Sequence, residues 1–487
     1  MRFFEKIMKL SNALLVLGVA TSSLVYAQTS RMMMPSVSSP AVSGEGTELG
    51  ANTTLSSSGI ALGNRVKMRG FVDFSYDYTK FEDLRIGDDD DARFRSTTDI
   101  DFLFDFSPVT GEVHIDASKD SVGLEQAFLR YNFNQDFSLS AGRQLTVLGF
   151  EKDESPNMYQ TSYAYLTDVS ANVEGGTGAL EKFVGVDNLR GISSRSSLIS
   201  LPSTISANAG TDYNHLNAYA NGGTVAGINY GLTGVGAPPA IGDFSLPNFR
   251  RSYVDGVRLN FNNGQFGFIA GLHNGYFTSD DNLNEGNIGL DIAASVMIIP
   301  GLEIRLGFGY ENNDDYNNAV SSYNTWANGL NQALSKDVLA NSGLAASSHV
   351  RYDLYNQVSQ ILPFPESDDI SQLNFLLSYQ TGGLTLAFEW DLWNVYVIEM
   401  WNMMLLANYQ FNDVFGLTFR YSHEDFEADV PGGGEGSSNR FTIGPMFSIT
   451  NNLTVGIEYS HAELESTNIV GGDSSVDELY AETIFSF

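Results

Sequence analysis

Hydrophobic and polar residues begin to alternate strictly at Arg65. Val66, Met68, Val72, Phe74, Tyr76 and Tyr78 take one set of positions; Arg65, Lys67, Arg69, Asp73, Ser75 and Asp77 take the other, with Phe71 the one exception. A period of two over this length is a strand with one apolar and one polar face. The pattern recurs to the last residue. Ile100, Phe102, Phe104 and Phe106 alternate with Asp99, Asp101 and Asp105, and Val113, Ile115 and Ala117 with Glu112, His114 and Asp116. Leu302 to Tyr310 alternates around Arg305, and Leu417, Phe419 and Tyr421 face away from Thr418, Arg420 and Ser422. A soluble sandwich alternates too, so the environment must be read from the connections.

Those connections alternate in length. Short turns fall near Pro108 to Gly111, Asn134 to Asp136, Asn262 to Gly264, Pro300-Gly301, Gly382-Gly383, Asn412-Asp413 and Asn451-Asn452. Long polar connections fall near Phe81 to Arg93, Thr146 to Asp212, Gly234 to Arg250, Asn312 to Ile370, Glu424 to Asn439 and Ala462 to Val476. Short turns on one side and long loops on the other are the habit of a transmembrane β-barrel. The expected fold is all-β: an antiparallel up-and-down barrel of about 16–18 strands over residues 64–487. In hydrocarbon every backbone N–H and C=O must be paired internally, so an open sheet could not span. The last strand places Leu479, Ala481, Thr483, Phe485 and Phe487 on one face, and the chain stops at Phe487. This looks like the signature read by outer-membrane assembly machinery.

Before the barrel, Arg2, Lys6 and Lys9 precede a mostly apolar run from Leu10 to Ala20, and Val25-Tyr26-Ala27 supplies a cleavage site. Residues 1–27 read as a secretory signal peptide, since the run is shorter than the roughly 20 apolar residues a spanning helix needs. Residues 28–63 are Ser-, Thr-, Gly- and Met-rich with Pro35 and Pro40, and read as a flexible periplasmic lead. Export to a bacterial outer membrane is therefore expected.

Composition narrows the chemistry. The chain has 48 Gly, 23 Tyr and 32 Phe but only 17% charged residues, which suits short strands, tight turns and interfacial girdles. There is no cysteine, which removes disulfides, thiol catalysis and thiolate metal sites. The formal charge of −32 makes nucleic acid an unsuitable partner and favours cations near the surface.

From Phe137 the chain runs FSLSAGRQLTVLGFEKDESPNMYQTSYAYL, with the step Gly142-Arg143-Gln144, the element Leu148-Gly149-Phe150-Glu151 and a Tyr/Ser stretch. This resembles the putative β-barrel porin family 2, the OmpL-like porins, as does Asn274-Gly275 after the strand Phe266 to Leu272. The likeness in arrangement covers most of residues 64–487. It implies a porin-like barrel and supplies no catalytic residues.

Arginines recur on the polar faces of separate strands: Arg130, Arg258, Arg305, Arg420 and Arg440. Against them stand Asp73, Asp101, Asp105, Glu112 and Asp116. Opposed across a lumen, these charges would set up a transverse field that filters solutes. Paired with one another, they would be structural bridges bracing the wall. Both readings stand at this stage, as does the choice between anions and cations. The stretch Thr146 to Asp212 is long enough to fold inward as a constriction or plug, or to stand outside as a flap. Asp88 to Asp91 lacks the glycine and glutamate spacing of a calcium loop and reads as a solvated charge run. Trp390, Trp393 and Trp401 suit a membrane interface or buried packing. Six histidines show no metal-ligand spacing, and neither a triad nor a phosphate-binding loop can be nominated, so no enzyme activity and no cofactor are expected.

The expected function is passive passage of small hydrophilic solutes or ions across an outer membrane. The other reading is a non-channel barrel serving as an adhesin or structural protein. The partners expected are outer-membrane lipid and the passing solutes. A homotrimer would bury part of the wall, although no strand marks an interface.

Overall fold

The computed structural model describes residues 60–83, 89–119, 121–151, 158–165, 253–275, 288–312, 369–395, 398–428, 435–467 and 474–487, with isolated helical positions between 317 and 328 and backbone pairs at 224–225 and 228–229. Residues 1–27 expected to be a signal peptide, most of residues 28–63 expected to be a lead, Asp88 and most of the two longest connections lie outside the described residues.

Sixteen long strands form one antiparallel sheet in chain order. They are β1 (Val66–Asp83), β2 (Asp89–Phe106), β3 (Val109–Ser118), β4 (Val122–Asn132), β5 (Phe137–Leu145), β6 (Tyr253–Asn262), β7 (Phe266–Asn274) and β8 (Ile288–Ile299). The series continues with β9 (Leu302–Glu311), β10 (Ile370–Thr381), β11 (Leu384–Val395), β12 (Ile398–Gln410), β13 (Phe415–Ala428), β14 (Glu435–Ser448), β15 (Leu453–Thr467) and β16 (Ser474–Ser486). The last strand returns to the first: Ser474 lies opposite Asp83 and Ser486 opposite Phe71. The terminal residue completes the seam, with Gly70 N–H donating to Phe487 O at 3.0 Å and Phe487 N–H donating to Gly70 O at 2.9 Å. No edge is left in the barrel, as a spanning sheet requires.

The wall is built inside-out. Phe441 is 60% exposed on the outer face while its neighbour Arg440 is 1% exposed on the inner face. Val72, Phe74, Leu129, Val257, Leu306, Phe419, Ile457 and Leu479 likewise point outward and are exposed. A soluble protein would bury these side chains and solvate the charges, so the surrounding medium is hydrocarbon.

The short turns share a local device. Asn134 Oδ1 accepts from the N–H groups of Asp136 and Phe137 at 2.9 and 3.0 Å. Asn263 does the same for Gln265 and Phe266 at 3.0 and 2.8 Å, and Asn412 for Val414 and Phe415 at 2.9 and 3.0 Å. In each, the asparagine mimics a backbone turn and the phenylalanine three residues on starts the next strand. The rings gather at this rim: Phe133 lies 5.3 Å from Phe137, and Phe411 and Phe447 lie 5.2 and 5.3 Å from Phe415. Such a girdle belongs at a membrane interface.

Three expectations need correction. β5 pairs directly with β6, Leu145 opposite Tyr253, so nothing between them enters the barrel ladder, and the loop expected from Gly234 to Arg250 lies outside the described residues. The strands beside other outer loops run further than their polarity suggested: β1 continues to Asp83, β2 starts at Asp89, and β13 reaches Ala428. Pairing within the ladder holds polar residues in strand form beyond the apolar band. Trp393 does not sit at the interface. It is 2% exposed, shares the inner face with Glu389 and Asp391, and its Nε1–H donates to Asn402 Oδ1 at 3.4 Å.

A Cβ at Gly70 would fall on the Asp99 carbonyl and the Phe487 ring, at the closing seam. Gly70→Val is expected to cost about 1–3 kcal/mol through overpacking. Heat-modifiable mobility on a detergent gel checks it: the folded species should melt at lower temperature, and an unchanged melting profile would refute the tight seam.

Candidate functional site

After Leu145 the chain leaves β5 and turns into the barrel. Irregular backbone at membrane depth must have its polar groups satisfied by protein or lumenal water. Here the wall supplies charged partners of both signs. Arg258 Nη2 donates to Leu145 O at 2.8 Å, and Arg305 Nη2 donates to Gly149 O at 2.6 Å. Phe150 N–H is held by both carboxylate oxygens of Glu389, at 3.1 and 3.0 Å. Glu151 pairs with Arg420 and accepts from Ala164 N–H at 2.7 Å, tying this limb to the next.

The second described limb, residues 158–165, lies against β11 and β13–β16. Thr418 Oγ1 donates to Tyr159 O at 3.0 Å. Thr161 N–H donates to Glu458 at 2.6 Å and its hydroxyl to Glu482 at 2.8 Å. Ser162 gives both its N–H, at 3.3 Å, and its hydroxyl to Glu458. Arg420 donates to Ser162 O at 2.7 Å, Ser162 Oγ at 2.8 Å and Tyr163 O at 2.7 Å, while Arg440 reaches the same Tyr163 O at 2.9 Å. Ser422 closes the run by donating to Ala164 O. Arginines thus take loop carbonyls and carboxylates take loop N–H groups. Charge-assisted bonds of this kind are about twice as strong as neutral ones.

Apolar packing seats the same loop. Ala164 and Tyr165 form a small core with Ala387, Met404 and Leu406 of the inner wall, and Phe150 and Tyr159 pack against it. The two rings are parallel, with centroids 6.0 Å apart. Opposite Leu148, the wall residue is Gly307, and a side chain there would occupy the space Leu148 fills.

Of the charges expected to face the lumen, Arg130, Arg258, Arg305, Arg420, Arg440, Asp101 and Glu112 are all buried on the inner face. They do not form one ring. Arg258, Arg305, Arg420 and Arg440 clamp the loop, whereas Arg130 stands on β4 with its guanidinium 5.3 Å from the Phe128 ring. Asp101 belongs to a separate network on β1–β3, receiving Arg69 at 2.6 Å and facing His114 at 3.0 Å; His114 in turn lies 3.2 Å from Glu112. Asp116 is half-buried opposite Asp99 in the ladder. Asp73 lies on the inner face of β1 beside Glu482. Asp105 accepts from Ser107 N–H at 2.9 Å and so belongs to the turn at the short-loop rim.

Sequence reasoning missed Glu389, Glu458 and Glu482 as loop anchors. Each is a carboxylate on the inner face of a regular strand: Glu458 stands between Ile457 and Tyr459, Glu389 has Asp391 two residues on, and Glu482 follows Glu478. That signal was available, but the loop it would meet was not. Among the described residues no group of three or more potential ligands could hold a metal ion.

No protein-family model matches the sequence. No curated protein matches it either. Solved structures with a similar chain arrangement include the outer membrane channel DcaP of Acinetobacter baumannii, at 11% identity and TM-score 0.47, covering 88% of this chain and all of that one (100%). The anion-selective porin from Comamonas acidovorans is 11% identical with TM-score 0.43, covering 87% of this chain and 99% of that one. In-vitro folded OmpT, an outer membrane protein of Vibrio cholerae, is 11% identical with TM-score 0.44, covering 88% and 100% respectively. The functional reading rests on this chain's own geometry.

Arg420→Met would leave Glu151 without its cation and remove three donors from the loop. Breaking one side of a buried charged pair costs about 3–5 kcal/mol, so the urea midpoint of the folded barrel should fall clearly. An unchanged midpoint would show that the clamp is not formed. For the apolar seat, Gly307→Ala is expected to destabilise the protein, and Leu148→Ala in the same chain to recover part of that loss. The coupling should be about 0.5–3 kcal/mol in a double-mutant cycle, and strict additivity would separate the two residues.

Proposed function

We propose that this chain is an outer-membrane porin that passes small hydrophilic solutes or ions without an energy source. The observation that carries the reading is the loop seated along the inner wall of a closed, inside-out barrel. The described loop contacts fall on β6, β9 and β11–β16, so the segment lines that side of the barrel. That arrangement narrows a pore to a constriction. The inner charges on both sides would act as its filter.

The resemblance of residues 137–166 to the OmpL-like porins agrees with this reading and adds a finer family assignment to it. The segment carrying the resemblance is the strand and inward loop that would form the constriction.

Planar-bilayer recording of the folded mature chain, residues 28–487, tests the proposal. Discrete, steady conductance steps are expected. A folded, heat-modifiable barrel that gives no steps would refute it and favour an adhesin or structural role.

A further inference from the structure

We infer that the conduction path prefers cations to anions, an inference that rests on the porin reading above. The sequence left the sign open because arginines and carboxylates share the inner face. The structure separates their environments. Among the described residues twelve carboxylates are buried on the inner face, but only five arginines. The carboxylates therefore dominate the fixed charge of the inner wall.

The arginines are, besides, already engaged. Arg258 faces Asp291 at 3.5 Å, Arg420 pairs with Glu151, and Arg440 pairs with Glu478. Arg305 donates to the Gly149 carbonyl, and the Arg130 guanidinium stands over the Phe128 ring at 5.3 Å. The partly exposed cations of β1 and β2 follow suit: Arg69 meets Asp101 at 2.6 Å and Arg95 meets Asp77 at 2.5 Å. The loop itself adds one carboxylate, Glu151, and no cation among its described residues.

Several carboxylates also take neutral hydrogen-bond donors. Asp391 accepts from Gln372 and Asn374, both at 2.8 Å, and Glu424 accepts from Ser438 at 2.9 Å. Glu482 accepts from Thr161. A hydroxyl or amide satisfies a lone pair without cancelling the charge. A lumen walled by one sign of charge concentrates counter-ions of the other. Small cations, including those with an ammonium or guanidinium group, are the solute class that fits.

Reversal potential under a KCl gradient across a planar bilayer reads the sign directly. Potassium is expected to be several-fold more permeant than chloride. The double variant Asp391→Asn with Glu424→Gln keeps acceptor oxygens for Gln372, Asn374 and Ser438 but removes two acidic groups, and should shift the reversal potential toward zero. A reversal potential of the chloride sign in the unmodified chain would overturn the inference while leaving the porin reading intact. A folded chain with no conductance would overturn both. Should the double variant not fold, the sign in the unmodified chain decides alone.

Discussion

Every backbone polar group that lies at bilayer depth must find a partner other than bulk water, and the whole architecture follows from meeting that demand twice. The wall meets it by closing: β16 pairs with β1, and Gly70 and Phe487 exchange both hydrogen bonds at the seam. The loop after β5 cannot join a ladder, so it meets the demand with side chains. Arg258, Arg305, Arg420 and Arg440 take its carbonyls, and Glu389, Glu458 and Glu482 take its N–H and hydroxyl groups. Wall and loop are two solutions to one desolvation problem.

This dual use changes what a lumenal charge means. An arginine on the polar face of a strand can shape the field of a pore or hold a segment in place, and the two roles need not exclude one another. Donating to a carbonyl leaves the guanidinium cationic, while a facing carboxylate offsets it. The four clamp arginines brace the loop first, and the field they leave behind is set by the acids around them. Glu389 and Glu458 show the same logic from the other side, since loop N–H groups satisfy their oxygens without neutralising them.

Much of the barrel was legible in the sequence because a period of two, once the inner and outer media differ, fixes the facing of every strand residue. The alternation around Phe71 and the turns at Asn134, Asn263 and Asn412 are local signals with local causes. Strand ends were less legible. Beyond the apolar band, polar residues such as those of β1 near Asp83 stay paired, and composition cannot show where pairing stops. The Trp393 orientation failed for a related reason: an indole suits an interface and a buried hydrogen bond equally, and only the strand's register decides. The candidate arginines are buried on the inner face, but the loop groups that Arg258, Arg305, Arg420 and Arg440 hold lie more than a hundred residues away in the chain. No short-range pattern links Arg420 to Ser162 or Glu482 to Thr161.

Residues 158–165, in the segment after β5, sit inside the barrel against the β13–β16 wall. Because the chain has no native cysteine, a disulfide between Gln160→Cys and Gly444→Cys tests it without background. A Cβ at position 444 would lie 3.6 Å from Gln160 Cγ, close enough for a bond after modest adjustment. Oxidation of the folded barrel is expected to give a cross-link in high yield, seen as altered gel mobility after denaturation and reversed by reductant. No cross-link above that formed in denatured protein would place the segment elsewhere and contradict the account.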